Sequence, residues 1–143
     1  MQRAALAIYR DQFGPTSKEA AASLNDLGVA LLANGKLFEA ETADIEALAI
    51  RRRLFGNENA DVAASQNNLA QAYLQHGRLA EAEALTREAL GTRRKLFGNE
   101  HLEVADSLRN LSIVLGDEGK WADAETTARE VLAMRRKTTL PKA

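Results

Sequence analysis

The sequence predicts an all-α chain built as an α-solenoid of stacked helix pairs, and three observations predict it. Alanine fills 27 of 143 positions and proline only 2, a bias toward the best helix former and away from the residue that breaks helices. The chain also repeats itself: ALAIYRDQFG from Ala5, ALAIRRRLFGNE from Ala47, ALGTRRKLFGNE from Ala89 and VLAMRRK from Val131 begin 42 residues apart. Aligned without gaps, residues 47–88 share 20 of 42 positions with residues 5–46 and 20 with residues 89–130. Within each unit the apolar residues follow a helical period, and a single helix pair cannot bury both sides of its apolar surface, so each pair must pack on the next.

The units are therefore 5–46, 47–88 and 89–130, with a partial unit at 131–143, all in one domain spanning 1–143. Gln2 to Phe13 reads as the second helix of a pair, closed by Gly14. The first helix of a full pair, helix A, shows in the middle unit as Val62, Gln66, Leu69, Ala70 and Tyr73, a face with one polar intruder. Thr16 and Ser17 are good caps for the first helix A, while the third is entered through His101 or a neighbour. Gly35, Gly77 and Gly119 occupy equivalent places after each helix A, where a left-handed residue ends the helix and a two-residue turn reverses the chain. Helix B then follows through Leu79, Ala82, Leu85, Ala89, Leu90, Leu96 and Phe97 to Gly98, which matches Gly14 and Gly56. Small residues such as Ala63, Ala70, Ala82 and Ala89 let helix axes approach, and Leu69, Tyr73, Leu85 and Leu90 fill the space between them.

Composition narrows the function. Without cysteine there is no disulfide framework, thiolate metal site or thiol nucleophile. A net charge of −1 supplies no excess field toward nucleic acid or an anionic membrane. No apolar run reaches spanning length and Met1-Gln2-Arg3-Ala4 does not open a secretory leader, so the expected location is cytoplasmic. His76 and His101 stand in different contexts and in no paired-ligand spacing, no serine sits in G-x-S-x-G, and no glycine-rich phosphate loop follows a strand. The expectation is a chain that is not an enzyme, with no catalytic residue, no cofactor and no metal. Glu81, Glu83, Asp123 and Glu125 recur with the repeat near the start of helix B, where negative charge suits the helix dipole. The basic triplets Arg51-Arg52-Arg53, Arg93-Arg94-Lys95 and Arg135-Arg136-Lys137 recur in the last turns of helix B and read as a solvated, dipole-neutralising ridge.

Asn68-Leu69-Ala70-x-x-Tyr73, Gly77-Arg78-Leu79-x-x-Ala82 and Ala89-Leu90 resemble the tetratricopeptide repeat (TPR) signature. The 42-residue spacing and Leu54-Phe55-Gly56 are similar to the longer repeats of kinesin light chains. The resemblance implies a right-handed α-solenoid that acts as a protein–protein interaction scaffold, with helix A lining a concave groove and helix B the convex side. It selects Asn25, Val29 and Leu32 in the first unit, Asn67, Gln71 and Leu74 in the second, and Arg109 and Ile113 in the third as a peptide-binding groove, with Ala22, Ala33, Ala64, Gln75, Asp106, Gly116 and Asp117 beside them. Asn25, Asn67 and Arg109 share one slot, suited to a peptide backbone through the two amides and to a carboxylate through the guanidinium. The same amides can also bond between repeats. The neighbouring slot, Asp26, Asn68 and Asn110, reads as structural.

Two departures from the family pattern carry expectations of their own. Asn59-Ala60 and His101-Leu102 stand where relatives often have His-Pro, so the helix entries lack a rigid proline. The chain opens on a lone helix B and closes at Thr138-Thr139-Leu140-Pro141-Lys142-Ala143 without a polar cap helix, which suggests a segment of a longer repeat protein or end-to-end pairing with another copy. The alternatives to a peptide scaffold are thus a regulatory arm of a larger multidomain enzyme or switch, and a self-assembling repeat module.

Overall fold

Residues 16–139 are described by the computed structural model, with side chains through Lys137. The expected helix before Gly14 and the tail beyond Thr139 lie outside the described residues. Within them the chain forms six helices and no strand: α1 (Lys18–Ala33), α2 (Leu37–Phe55), α3 (Ala60–Gln75), α4 (Leu79–Phe97), α5 (Leu102–Asp117) and α6 (Trp121–Thr139). The alternation is regular, 16 residues for each helix A (α1, α3, α5) and 19 for each helix B (α2, α4, α6).

Each helix A begins on a side chain that accepts from its first free backbone N–H groups. Ser17 Oγ accepts from Ala20 N at 3.1 Å, Asn59 Oδ1 from Asp61 N at 2.8 Å and Val62 N at 3.3 Å, and His101 Nδ1 from Glu103 N at 3.0 Å. Asn59 thus does by hydrogen bonding what a proline would do by stiffness. His101 is also stacked on Phe97, with ring centroids 4.5 Å apart, which fixes the imidazole that caps α5.

Each helix A ends in one closure. After Ala33 the N–H of Gly35 donates to Leu32 O at 3.0 Å and that of Lys36 to Leu31 O at 2.9 Å. The same crossed pair recurs at Gly77 and Arg78, and at Gly119 and Lys120. This Schellman geometry needs φ near +80° at the glycine, which a Cβ would strain. The connection is three residues long, Asn34-Gly35-Lys36, one more than the sequence suggests, because the last helix-A turn stays closed up to its glycine.

Pairs pack as α1 on α2, α3 on α4 and α5 on α6, and each helix B packs on the helix A that follows. Their core is apolar and tightly spaced: Ala20, Ala21, Ala40, Ala47, Val62, Ala63, Ala82, Ala89 and Val104 are fully buried, and Leu69, Leu108, Leu111 and Leu115 fill the gaps. One asymmetry governs the overall form. The backbones of α1 and α3 touch, as do those of α3 and α5, whereas α2 stays clear of α4 and α4 of α6. Helix A therefore lines the tighter, inner edge and helix B the splayed, outer edge.

Candidate functional site

The inner edge is held by a bonded relay that repeats with the chain. Arg51 Nη1 donates to Ser65 Oγ at 3.0 Å and to Asp61 O at 3.1 Å, and Ser65 Oγ donates to Asn25 Oδ1 at 3.2 Å. One period later, Arg93 Nη1 donates to Ser107 Oγ at 2.9 Å and Glu103 O at 3.1 Å, and Ser107 Oγ donates to Asn67 Oδ1 at 3.3 Å. Arg93 further pairs with the Glu103 carboxylate at 3.0 Å. Burial pushes the Arg51 and Arg93 guanidiniums down from the usual arginine range, while the carboxylates of Asp61 and Asp26, and of Glu103 and Asp106, act the other way. Both stay charged at neutral pH.

This relay corrects the reading of the basic triplets as a solvated ridge at Arg51 and Arg93, whereas Arg53, Lys95 and Arg135-Arg136-Lys137 are exposed. The first members of the first two triplets, Arg51 and Arg93, serve the joint with the next helix A, and Arg93 is only 5% exposed. The second members of the same two triplets span the outer gap: Arg52 reaches Glu88 at 3.1 Å and Arg94 reaches Glu130 at 3.0 Å. In the later triplets the third member reaches back, Lys95 to Glu58 at 2.7 Å and Lys137 to Glu100. Clefts open beneath these struts, one of about 440 Å³ with an apolar floor of Ile45, Leu48, Leu69, Tyr73 and Leu85. Sequence reasoning misses this ladder, although the signal is present: Arg, Ser and Asn recur at 51/93, 65/107 and 25/67 without substitution.

The expected groove residues separate into two sets. Asn25 and Asn67 are buried, 7% and 8% exposed, and accept the serine hydroxyls of the next helix A. Arg109, in the same slot of α5, is exposed. Val29 and Ile113 are 55% and 47% exposed, and Gln71 lies half-buried in their slot between them. Leu32 and Leu74 are half-buried behind that row. In the slot read as structural, Asn110 is buried and Asn68 half-buried, but Asp26 is exposed. The structure thus brings Val29, Gln71, Ile113 and Arg109 to the inner surface and sets the two asparagines beneath it.

The two histidines are engaged in the stack. His76 Nδ1 lies 2.7 Å from Glu41 Oε1, and its ring meets Phe38 edge-on. His101 caps α5 from its place on Phe97. Among the described residues no three His, Asp or Glu side chains gather as a metal site requires, and no helix is long and apolar enough to cross a membrane.

Known proteins share this architecture. BtubC (BKLC) from P. vanneervenii superposes with a TM-score of 0.87 at 25% identity, over 99% of this chain and 57% of that one. A Podosopora anserina putative kinesin light chain with nearly identical TPR-like repeats gives 0.79 at 26% identity, over 98% and 66%. A second crystal structure of that protein, carrying a point substitution, gives 0.80 at 26%, over 96% and 65%. The chain thus spans between about half and two thirds of the length of these structures. No curated protein matches the sequence. The family model for the tetratricopeptide repeat matches residues 19–95 and 77–137, nearly all of the six helices whose pairing, glycine closures and A-inside curvature are described above. The chain belongs to the tetratricopeptide repeat family.

Proposed function

We propose that this chain is a non-catalytic scaffold that holds an extended peptide or partner segment across its inner face. Repeats of this family generally serve as protein-interaction modules, and the observation that supports the reading here is the row of exposed Val29 and Ile113 with half-buried Gln71 between them. Packing leaves two branched apolar side chains uncovered on the inner edge, where the A helices crowd together and most of their small and polar residues are buried. Apolar side chains give affinity through burial and Gln71 gives register through its amide, the division of labour seen in peptide grooves. Asn25 and Asn67 act beneath the groove by fixing the spacing of α1, α3 and α5. We propose one continuous domain of 42-residue units as its frame and the cytoplasm as its setting.

The test is a peptide-display selection against the wild type and against Val29→Ser, Gln71→Ala, Ile113→Ser, with helicity checked by circular dichroism. The reading expects a shared motif enriched by the wild type and lost by the folded variant. Equal enrichment by both, or none by either, overturns it.

A further inference from the structure

We infer that the segment held by this groove is basic, with two apolar anchors about five to six residues apart and lysine or arginine between them. The inference rests on the peptide-groove reading above and deepens it.

Charge is unevenly divided between the two edges. The three A helices carry six carboxylates and two cations, whereas the three B helices carry ten carboxylates and eleven cations. Part of the A-helix excess serves the helices themselves: Glu19, Asp61 and Glu103 lie in first turns, and Glu103 pairs with Arg93. Asp26, Asp106 and Asp117 are different. All three are exposed on the inner helices. Asp117 is the last residue of α5, where a carboxylate opposes the helix dipole, so helix stability does not explain it. Asp26 and Asp106 act on Arg51 and Arg93 through space, while those guanidiniums direct Nη1 to Ser65, Ser107 and backbone carbonyls.

These carboxylates surround the apolar row. Asp26 precedes Val29 by one helical turn on α1, and on α5 Asp106 and Asp117 bracket Ile113. Between them α3 offers the neutral amides Asn68, Gln71 and Gln75. Of the two A-helix cations, Arg109 stands in the row's neighbourhood, whereas Lys18 lies at the far start of α1, about three turns before Val29. A groove of this sign attracts cations and repels acidic segments. Its span follows from packing: adjacent helix axes lie about 9 Å apart, so Val29 and Ile113, two helices apart, are about 18 Å apart. Extended chain rises about 3.3 Å per residue, which gives the anchor spacing.

Fluorescein-labelled decapeptides with two leucines five residues apart and lysine, serine or glutamate between them test the inference by fluorescence anisotropy. The lysine peptide is expected to bind at least tenfold more tightly than the glutamate peptide and to weaken severalfold between 50 and 500 mM salt. Asp26→Asn, Asp106→Asn, Asp117→Asn is expected to reduce its affinity at least tenfold with helicity unchanged, and Arg109→Gln to raise it. Tighter binding of the glutamate peptide, or salt-independent binding of the lysine peptide to the wild type, overturns the basic-segment inference while leaving a peptide groove standing. Peptides that bind the Val29→Ser, Gln71→Ala, Ile113→Ser variant as well as the wild type overturn both.

Discussion

Asp44 should make the first repeat less stable as pH rises from about 4 to about 7, and the structure gives the size of the effect. Its side chain is 1% exposed, Oδ1 has no hydrogen-bond partner, and burial pushes the carboxyl up from 3.8 to about 7. The folded protein therefore keeps, between about pH 4 and 7, a proton that the unfolded chain has lost, so stability falls as pH rises across that window. A rise of about three pH units corresponds to about 4 kcal/mol. Asp44→Asn preserves shape and cannot ionise. Urea unfolding followed by circular dichroism at pH 4, 5, 6, 7 and 8 should show the variant gaining on the wild type by about 4 kcal/mol from the acid to the alkaline end. A difference independent of pH would refute the reasoning.

Space explains why this acid is tolerated at all. A Cβ on Gly28 would lie 2.0 Å from Asp44 Oδ1, whereas the next repeat pairs Ala70 with Thr86, whose hydroxyl donates to Ala82 O at 2.7 Å. Gly28→Ala alone should cost about 1–3 kcal/mol through overpacking. Gly28→Ala with Asp44→Thr, which copies the second repeat into the first, should exceed the wild type in stability by removing both the buried acid and a mid-helix glycine.

Three further outcomes are expected. Leu69→Ala removes a side chain that is 4% exposed between α3 and its neighbours and should cost about 2–5 kcal/mol; an unchanged melting curve would contradict that packing. Ser107→Ala strips Arg93 and Asn67 of a shared partner and should cost about 1–3 kcal/mol in urea unfolding. A loss no larger than that of Ser112→Ala, a half-buried serine that donates only to Ala124 O, would mean that the relay does not hold the joint. The outer edge, joined by exposed ion pairs over open clefts, should yield to salt while the inner edge does not. Spin labels at Thr42→Cys and Thr126→Cys, equivalent outer positions in a chain without native cysteine, should move apart between 50 mM and 1 M salt, where the Debye length falls to about 3 Å. Labels at Ala22→Cys and Asp106→Cys on the inner edge should hold their distance.

Fold and site differ in how far the sequence reveals them. Helix pairs, their order and their glycine closures follow from the 42-residue period, because Gly35, Gly77 and Gly119 answer a local backbone demand that recurs unchanged. The caps are partly visible: Ser17 is a recognisable cap by residue type, whereas His101 works because Phe97 orients its ring. Periodicity is silent on which partner a polar side chain meets 36 to 40 residues away. Arg93 reads as a surface cation because helix ends favour cations, yet the next helix A closes over it. Asn25 and Asn67 read as groove residues because their face is right, but Ser65 and Ser107 reach them first. Asp26 shares its slot with Asn68 and Asn110 and reads as structural; only the packing of α1 on its neighbours reveals its exposure.

The central claim is that the inner edge, and not the splayed outer one, is the binding face. The most direct measurement is a set of amide ¹H–¹⁵N spectra recorded while a display-selected peptide is titrated into the uniformly labelled protein. The account predicts that the largest shifts fall on α1, α3 and α5 around Val29, Gln71, Arg109 and Ile113. Shifts concentrated on α2 and α4 around Ile45, Leu48 and Leu85 would contradict it and place binding in the outer cleft.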